Sequence, residues 1–276
     1  MLISVDKQLE SLSRGVVDFV SPDELSKKIQ SKKQLRVKLG VDPTSPDIHL
    51  GHTVVLQKLR QFQDLGHKAV LIIGDYTALV GDPSGTLKTR PQLSREEIKA
   101  NVKTYVTQIQ KVLNPKRLEL RYNGEWFKKM PFIEVIRLAS RMTVARMLER
   151  DDFSKRFKGG SPISIHEFIY PLMQGYDSLM IKADVELGGT DQLFNLLVGR
   201  QLQKEAGEEP QVCLTTPLLE GTDGIQKMSK SLNNYIGITE SPDQIFGKAM
   251  SISDGLMWKY YELLSSLSAE EIEEKI

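Results

Sequence analysis

At 276 residues, 40% of them apolar, the chain is long enough to bury one large core or two modest ones. With 37 basic and 36 acidic residues the net charge is +1, so a nucleic-acid partner has to be met by a local basic patch and not by the overall field. The single cysteine, Cys213, excludes an internal disulfide framework; no apolar run reaches a membrane span, and the first residues lack a secretion signal, so the expected place is the cytoplasm, free of membrane.

In chain order, residues 1–34 read as a peripheral helical segment. Ser21-Pro22-Asp23-Glu24 has the form of a capping box with proline at the first helical position. Residues 35–41 form the first buried strand. A polar, proline-containing turn follows, then a helix from about Asp47 to Leu65. Asp47 is its expected cap, Val55, Leu56, Leu59 and Phe62 its apolar stripe, and Gly66 its left-handed stop. His49 and His52 share a face of the first turn, and Gly51 between them leaves room for a flat ring on the backbone. Free N–H groups at that end favour an anion. Two readings stay open for this stretch alone: a phosphate site, or a helix start with two surface histidines. Residues 69–74 are a continuous apolar strand that completes a βαβ unit of a parallel sheet covered on both faces.

The loop 74–90 is rich in glycine and proline. Ser94-Arg95-Glu96-Glu97 caps a helix that Asn114-Pro115 ends; residues 118–122 form a short strand, and Asn123-Gly124 a turn. A helix is expected over 131–149, with Phe132, Val135, Ile136, Ala139, Met142, Thr143 and Met147 on one face. With the charged stretch 150–160 it forms an insertion over about 123–162. That face goes either to the core or to a subunit contact, and pattern alone favours the core. A helix over 166–180 places Tyr170, Gln174 and Asp177 on one side, facing either solvent or a polar ligand that gives each a partner. A strand over 184–189 ends in Gly-Gly. Thr190-Asp191 opens a helix to about Gly207, and 212–219 is the last strand. The loop 221–236 carries Lys227-Met228-Ser229-Lys230-Ser231, by itself an ordinary solvated basic run. Ser241 and Ser268 cap helices in 237–276; the last of them stops at Ile276, as expected of a truncated helical C-terminal region.

Taken together, His49-Leu50-Gly51-His52 and Lys227-Met228-Ser229-Lys230-Ser231 resemble the HIGH and KMSKS signatures of class I aminoacyl-tRNA synthetases. Four further patterns are similar to the bacterial tyrosyl-tRNA synthetase family: Gly-x-Asp-Pro-Thr at 40–44, Gly-Asp-Pro-Ser-Gly at 81–85, Tyr-x-x-x-Gln-x-x-Asp at 170–177 and Gly-Gly-Thr-Asp-Gln at 188–192. The resemblance runs from about Leu35 to Ala249. It implies an α/β fold: a Rossmann-type parallel-sheet catalytic domain over 35–220, with a helical dimerisation insertion and the start of a C-terminal helical region. It implies a homodimer, and an enzyme that activates tyrosine with ATP and transfers it to tRNA(Tyr). Carboxylate attack on the α-phosphorus needs no protein nucleophile, only position and positive charge.

The resemblance also implies residue roles. Asp82, Tyr170 and Gln174 would hold the tyrosine ammonium, and Asp177 would accept the phenolic hydrogen. Gly40, Asp42 and Gln192 would line the carboxylate and ribose side. Thr44, His49 and His52 would face the ATP phosphates, and Gly51, Gly189 and Asp191 the adenosine. Lys227 and Lys230, with Met228 and Ser229 between them, would form a mobile loop; Arg90 and Lys88 are further cations for the transition state. Mg²⁺ is implied with ATP, although no carboxylate cluster marks its ligands. Three positions depart from the family pattern. Lys38 stands where many members have a second phenol-contacting tyrosine, and either pairs with Asp177 or points away. Thr86 replaces a lysine, and Leu193 a tryptophan. Family members continue beyond residue 276 into anticodon-binding parts, so this chain is expected to form adenylate and to charge tRNA poorly. Rival readings are a tryptophanyl relative, a small nucleotidyltransferase and a non-catalytic RNA-binding paralogue.

Overall fold

The computed structural model describes residues 3–32, 34–84 and 93–275. Arg90, Lys88 and Thr86 lie outside the described residues. The order of elements is α1 (Val5–Ser13), β1 (Phe19–Val20), α2 (Pro22–Ser31), β2 (Arg36–Val41), α3 (Leu50–Asp64), β3 (Lys68–Ile73), α4 (Arg95–Ile109) and β4 (Leu118–Tyr122). Then come α5 (Gly124–Phe127), α6 (Phe132–Ala139), α7 (Val144–Met147), α8 (Asp151–Lys158), α9 (Ile165–Ile181), β5 (Val185–Gly189), α10 (Leu193–Glu205) and β6 (Val212–Thr216). The chain closes with α11 (Pro242–Met250), α12 (Asp254–Leu264) and α13 (Ala269–Glu273).

The six strands form one sheet in the order β1-β6-β5-β2-β3-β4, parallel except for β1 at the edge. The five parallel strands have the doubly wound order of a Rossmann-type fold, and it reverses between β2 and β5. Strand β3 shows why its sequence is apolar without alternation. Ala69, Leu71 and Ile73 point into the core beneath α3 and α4, while Val70 and Ile72 pack with Trp126, Phe127 and Met173 on the other face. Helices α9 and α10 cross closely at Gly175 and Gly199. A Cβ on Gly199 would stand 2.7 Å from Gln211 Nε2 and 3.0 Å from Ser178 Oγ, both buried and both hydrogen-bonded. Gly199→Ala is therefore expected to destabilise the fold by roughly 1–3 kcal/mol, read as a lower denaturant midpoint at unchanged slope.

Several elements depart from the sequence-based expectation. Strand β1 is an addition, paired antiparallel with β6 through Phe19↔Leu214 and Val20↔Cys213. The helix expected over 131–149 is two helices, because the Thr143 hydroxyl accepts the Arg146 N–H (3.1 Å) and so caps a new start. Gly124 opens α5 rather than closing a turn; its N–H donates to Asp75 Oδ1 at 2.7 Å. Residues 190–192 form a 3₁₀ turn ahead of α10. The last strand stops at Thr216, since Pro217 has no N–H for the ladder. Ser21 precedes α2 without the expected side-chain cap. The face reserved for the core on 131–149 is split: Met147 is buried, but Phe132 is 77% exposed and Ile136 49%.

Candidate active site

The carboxyl ends of β2 and β5, where the strand order reverses, are where a doubly wound sheet opens a crevice for ligand. Two groups of side chains meet there. The first is polar and buried. Asp42, just past β2, accepts from Thr77 Oγ1 (2.7 Å) and from the Tyr170 hydroxyl (3.0 Å). Gly74 has to be glycine for this, because a Cβ there would fall 1.9 Å from Asp42 Oδ1. Asp177, from α9, is buried; it accepts from Trp126 Nε1 (2.9 Å) and Asn123 Nδ2 (3.2 Å). Burial raises its pKa to about 7, against the pull of Lys38 and the two N–H donors. Asp82 accepts from the Ser84 N–H and from Gln192 Nε2, both at 2.8 Å. Gln174 Oε1 in turn accepts from Asn195 Nδ2 at 3.0 Å. Tyr170, Gln174 and Asp177 thus share one inward face of α9, as their spacing implies.

The second group surrounds the start of α3. His49, not Asp47, is the residue that precedes the helix, and its N–H donates to His52 Nδ1 at 3.3 Å. His52 Nδ1 therefore accepts, which leaves the ring proton on Nε2. Asp47 is drawn away by Lys230 of the 221–236 loop, 2.5 Å from its carboxylate. The two imidazole rings lie 3.9 Å apart. Burial first, then nearby positive charge (His52 and Lys230 for His49, Lys230 for His52), holds His49 down to about 3 and His52 to about 4, so both are neutral at pH 7. They act as hydrogen-bonding groups, and the positive charge at this end comes from lysine. His49 Nδ1 is buried without a hydrogen-bond partner among the described residues. A Cβ on Gly51 would sit 3.0 Å from that ring, and the Gly51 N–H meets the Met228 sulfur at 3.3 Å. The Lys-Met-Ser-Lys-Ser loop is thereby docked on the histidine helix, with Met228 buried in a cluster with Val54, Leu219 and Ile236.

The remaining sequence-derived residues fall between or around these groups. Gly40 is the exposed next-to-last residue of β2, and the Thr44 N–H donates to the Asp42 carbonyl at 2.8 Å. Gly189 leaves room for the Asp191 carboxylate, which a Cβ would approach to 2.8 Å. Burial, then Asp82, raises the Asp191 pKa, with Lys227 opposing. Ser229 is tied through its N–H to Asn234 Oδ1 at 2.8 Å. The Lys38 ammonium is bonded to groups other than Asp177, on which it acts only through its charge. Lys38 is wholly buried, with its ammonium given to Glu186 (2.8 Å), Ser178 Oγ (2.7 Å) and the Gln174 carbonyl (2.7 Å), so all three donors are used.

Sequence reasoning missed Asn123, Trp126, Arg150, Glu186 and Asn195. One signal was available: Lys38 and Glu186 are charges of opposite sign inside two strands whose neighbouring positions are apolar, Arg36 lying at the very start of β2. They are register partners across β2 and β5, and a charge in such a strand has to be paired.

Comparison with known proteins gives this geometry a family. Residues 30–275 match the sequence profile of tRNA synthetases class I (W and Y). The chain is 62% identical over 272 residues to a tyrosine–tRNA ligase of Carboxydothermus hydrogenoformans, covering 97% of this chain and 66% of the relative. It is 61% identical over 269 residues to that of Thermotoga maritima, covering 98% of this chain and 67% of the relative. The chain thus spans about two thirds of the length of these relatives. Among solved structures, an Archaeoglobus fulgidus tyrosyl-tRNA synthetase complexed with L-tyrosine superposes with a TM-score of 0.79 at 26% identity, covering 95% of this chain and 81% of the other.

Proposed function

The chain belongs to the class I tRNA synthetases of the tryptophan and tyrosine group, and on that premise we propose that it is the unit that activates tyrosine with ATP. A tyrosine carboxylate oxygen attacks the α-phosphorus, the bond from that phosphorus to the bridging oxygen breaks, and pyrophosphate leaves. The observation that carries this reading is the pairing of a buried, doubly hydrogen-bonded Asp177 with the docked histidine helix and lysine loop in one crevice. Asp177 keeps acceptor capacity for the phenolic hydrogen. A buried group built to read a hydroxyl rejects the amino acid that lacks it, and tyrosyl-tRNA synthetases are the type case of this rule. Asp82, Tyr170 and Gln174 supply oxygens for the α-ammonium; Gly40, Asp42 and Gln192 border the carboxylate. Gly51, Gly189 and Asp191 face the adenosine once Met228 moves aside. Thr44, His49 and His52 donate to the phosphates, and Lys227 and Lys230 neutralise the charge that grows on the leaving pyrophosphate. Arg90 is a further candidate for that charge.

Mg²⁺ enters with ATP as part of the substrate. Among the described residues no group of three or more His, Cys, Asp or Glu side chains is placed to hold a metal. The second step is transfer of the tyrosyl group to tRNA(Tyr). A homodimer is supported by apolar surface on the insertion and at the adjoining start of α9, where Phe132, Ile133 and Val144, and Ile165, are all more than half exposed. No helix among the described residues is long and apolar enough to cross a membrane, and we place the chain in the cytoplasm.

ATP–pyrophosphate exchange with tyrosine, tryptophan and phenylalanine tests the assignment: exchange is expected with tyrosine, and equal or greater exchange with tryptophan overturns it. The pH dependence adds a check. Asp177 is neutral below about 7 and ionised above, and only in the ionised form are both oxygens acceptors, so that either can take the phenolic hydrogen beside its N–H donor. The KM for tyrosine is therefore expected to fall between pH 6 and 8, and to lose that dependence in Asp177→Asn. Free of ligand, the same raised pKa gives stability present below pH 3.8 and lost as pH rises through about 7.

A further inference from the structure

Three amides run in a chain across the floor of the proposed ammonium subsite. Asn195 Nδ2 donates to Gln174 Oε1 (3.0 Å) and to Gln192 Oε1 (3.1 Å). Gln174 Nε2 donates onward to Glu186 (3.2 Å), and Gln192 Nε2 to Asp82 (2.8 Å). An amide is ambiguous by itself, since nitrogen and oxygen exchange by a half-turn. Here the ends are not ambiguous. Glu186 and Asp82 only accept, which turns both glutamine nitrogens outward and both oxygens toward Asn195. Asn195 must then present its nitrogen to both, and something that only donates must hold its oxygen.

That group is Arg150, at the start of α8 in the insertion. Its Nη1 donates to Asn195 Oδ1 at 3.2 Å, and its Nη2 to Ser84 Oγ at 2.6 Å. Ser84 is the residue whose N–H orients Asp82. The guanidinium is buried and lies over the Phe153 ring. Asp152 Oδ1 meets its Nε at 2.8 Å. We propose that Arg150 is a positioning residue for the amino-acid ammonium: it anchors Asn195, the centre of the Gln192–Asn195–Gln174 amide chain whose direction Asp82 and Glu186 set, and, through Ser84, the seat of Asp82. This rests on the tyrosine-activating reading above.

Two effects of removing Arg150 oppose each other. Its positive charge stands 3.9 Å from Asp82 and repels an ammonium. Asp152, in direct contact, already cancels most of that field at Asp82. Against the small remainder stand the lost orientation of three amides and of the Ser84 turn. Without Arg150 the Asn195 oxygen is left as a buried acceptor with no donor, and an amide held from one end only no longer fixes the Gln174 and Gln192 oxygens in place. Orientation therefore wins, and ligands that carry an ammonium lose affinity.

The test uses three ligands of the whole chain, bound at equilibrium. L-Tyrosine has both ammonium and carboxylate, tyramine only the ammonium, and 3-(4-hydroxyphenyl)propanoate only the carboxylate. In Arg150→Met, tyrosine and tyramine are expected to weaken together by about ten- to a hundred-fold. The propanoate should change by less than about two-fold, as should the KM for ATP. Arg150→Lys, which keeps a donor, should recover part of the loss. If Arg150→Met does not fold, Asn195→Asp, which keeps the volume but removes the donor, is read the same way. Equal weakening of all three ligands, or unchanged tyrosine binding, overturns the proposal. Failure of the unmodified chain to exchange pyrophosphate with tyrosine would instead strike the activating reading itself.

Discussion

Asp177→Ala is expected to lower tyrosine-dependent kcat/KM by about 100- to 1,000-fold. The phenolic hydrogen loses an acceptor that is charged when the pocket is occupied near neutral pH, a bond of roughly 1.5–3 kcal/mol. Trp126 Nε1 and Asn123 Nδ2, whose 2.9 Å and 3.2 Å bonds end on that carboxylate, are left as buried donors without an acceptor. Each adds roughly 1–3 kcal/mol of penalty, part of it borne by the free protein and so invisible in binding. The loss should fall on KM for tyrosine more than on kcat, because the phenol lies far from the reacting phosphorus. Asp177→Asn keeps the volume and one acceptor, so its loss should be smaller and its discrimination against phenylalanine weaker. Steady-state exchange with both amino acids reads both effects. A loss confined to kcat would contradict the assignment of Asp177 to the phenol.

Lys230→Ala is expected to lower the rate of adenylate formation by roughly 100- to 1,000-fold, with KM for tyrosine nearly unchanged. The argument turns on which groups at the start of α3 carry charge. His49 and His52, held down to about 3 and 4, contribute donors but no cation at neutral pH. The charge that develops on the leaving pyrophosphate must be met by ammonium groups from the loop. Lys230 already points at this end of α3, 2.5 Å from the Asp47 carboxylate. That ion pair is half exposed and contributes little to stability, so Lys230 can leave Asp47 for a phosphate at small cost. An interaction made only as the pyrophosphate departs lowers kcat and kcat/KM together, and single-turnover measurement of adenylate formation separates this from product release. An equal loss in tyrosine affinity would point to a collapsed loop and not to missing transition-state charge.

The parts legible in the sequence are those whose chemistry sits within one element. Tyr170, Gln174 and Asp177 declare a polar face by helical spacing, and His49 and His52 a shared turn. The apolar run 69–73 declares a strand buried on two sides. The illegible parts are pairings between distant elements. Asp47 has the residue type of a helix cap, but its carboxylate is claimed by a lysine 183 positions away. Whether Lys38 pairs with Asp177 or points away is left open by the sequence, which shows only that it stands where other family members carry a tyrosine. The parallel register of β2 and β5 sets it beside Glu186. Phe132 and Ile136 satisfy a core pattern as well as an interface pattern, since helical periodicity states that a face is apolar and not what covers it. Arg150 lies in the insertion, far along the chain from the loop and helix it ties together.

A crystal structure of the chain with a non-hydrolysable tyrosyl-adenylate analogue bears most directly on the convergence of the two halves of the crevice. The phenolic oxygen is expected within hydrogen-bonding distance of Asp177, the adenine ring on Gly51 in place of the Met228 sulfur, and the phosphate within reach of His49 or His52. An analogue bound with its phenol away from Asp177, or with its adenine clear of the histidine helix, would contradict it.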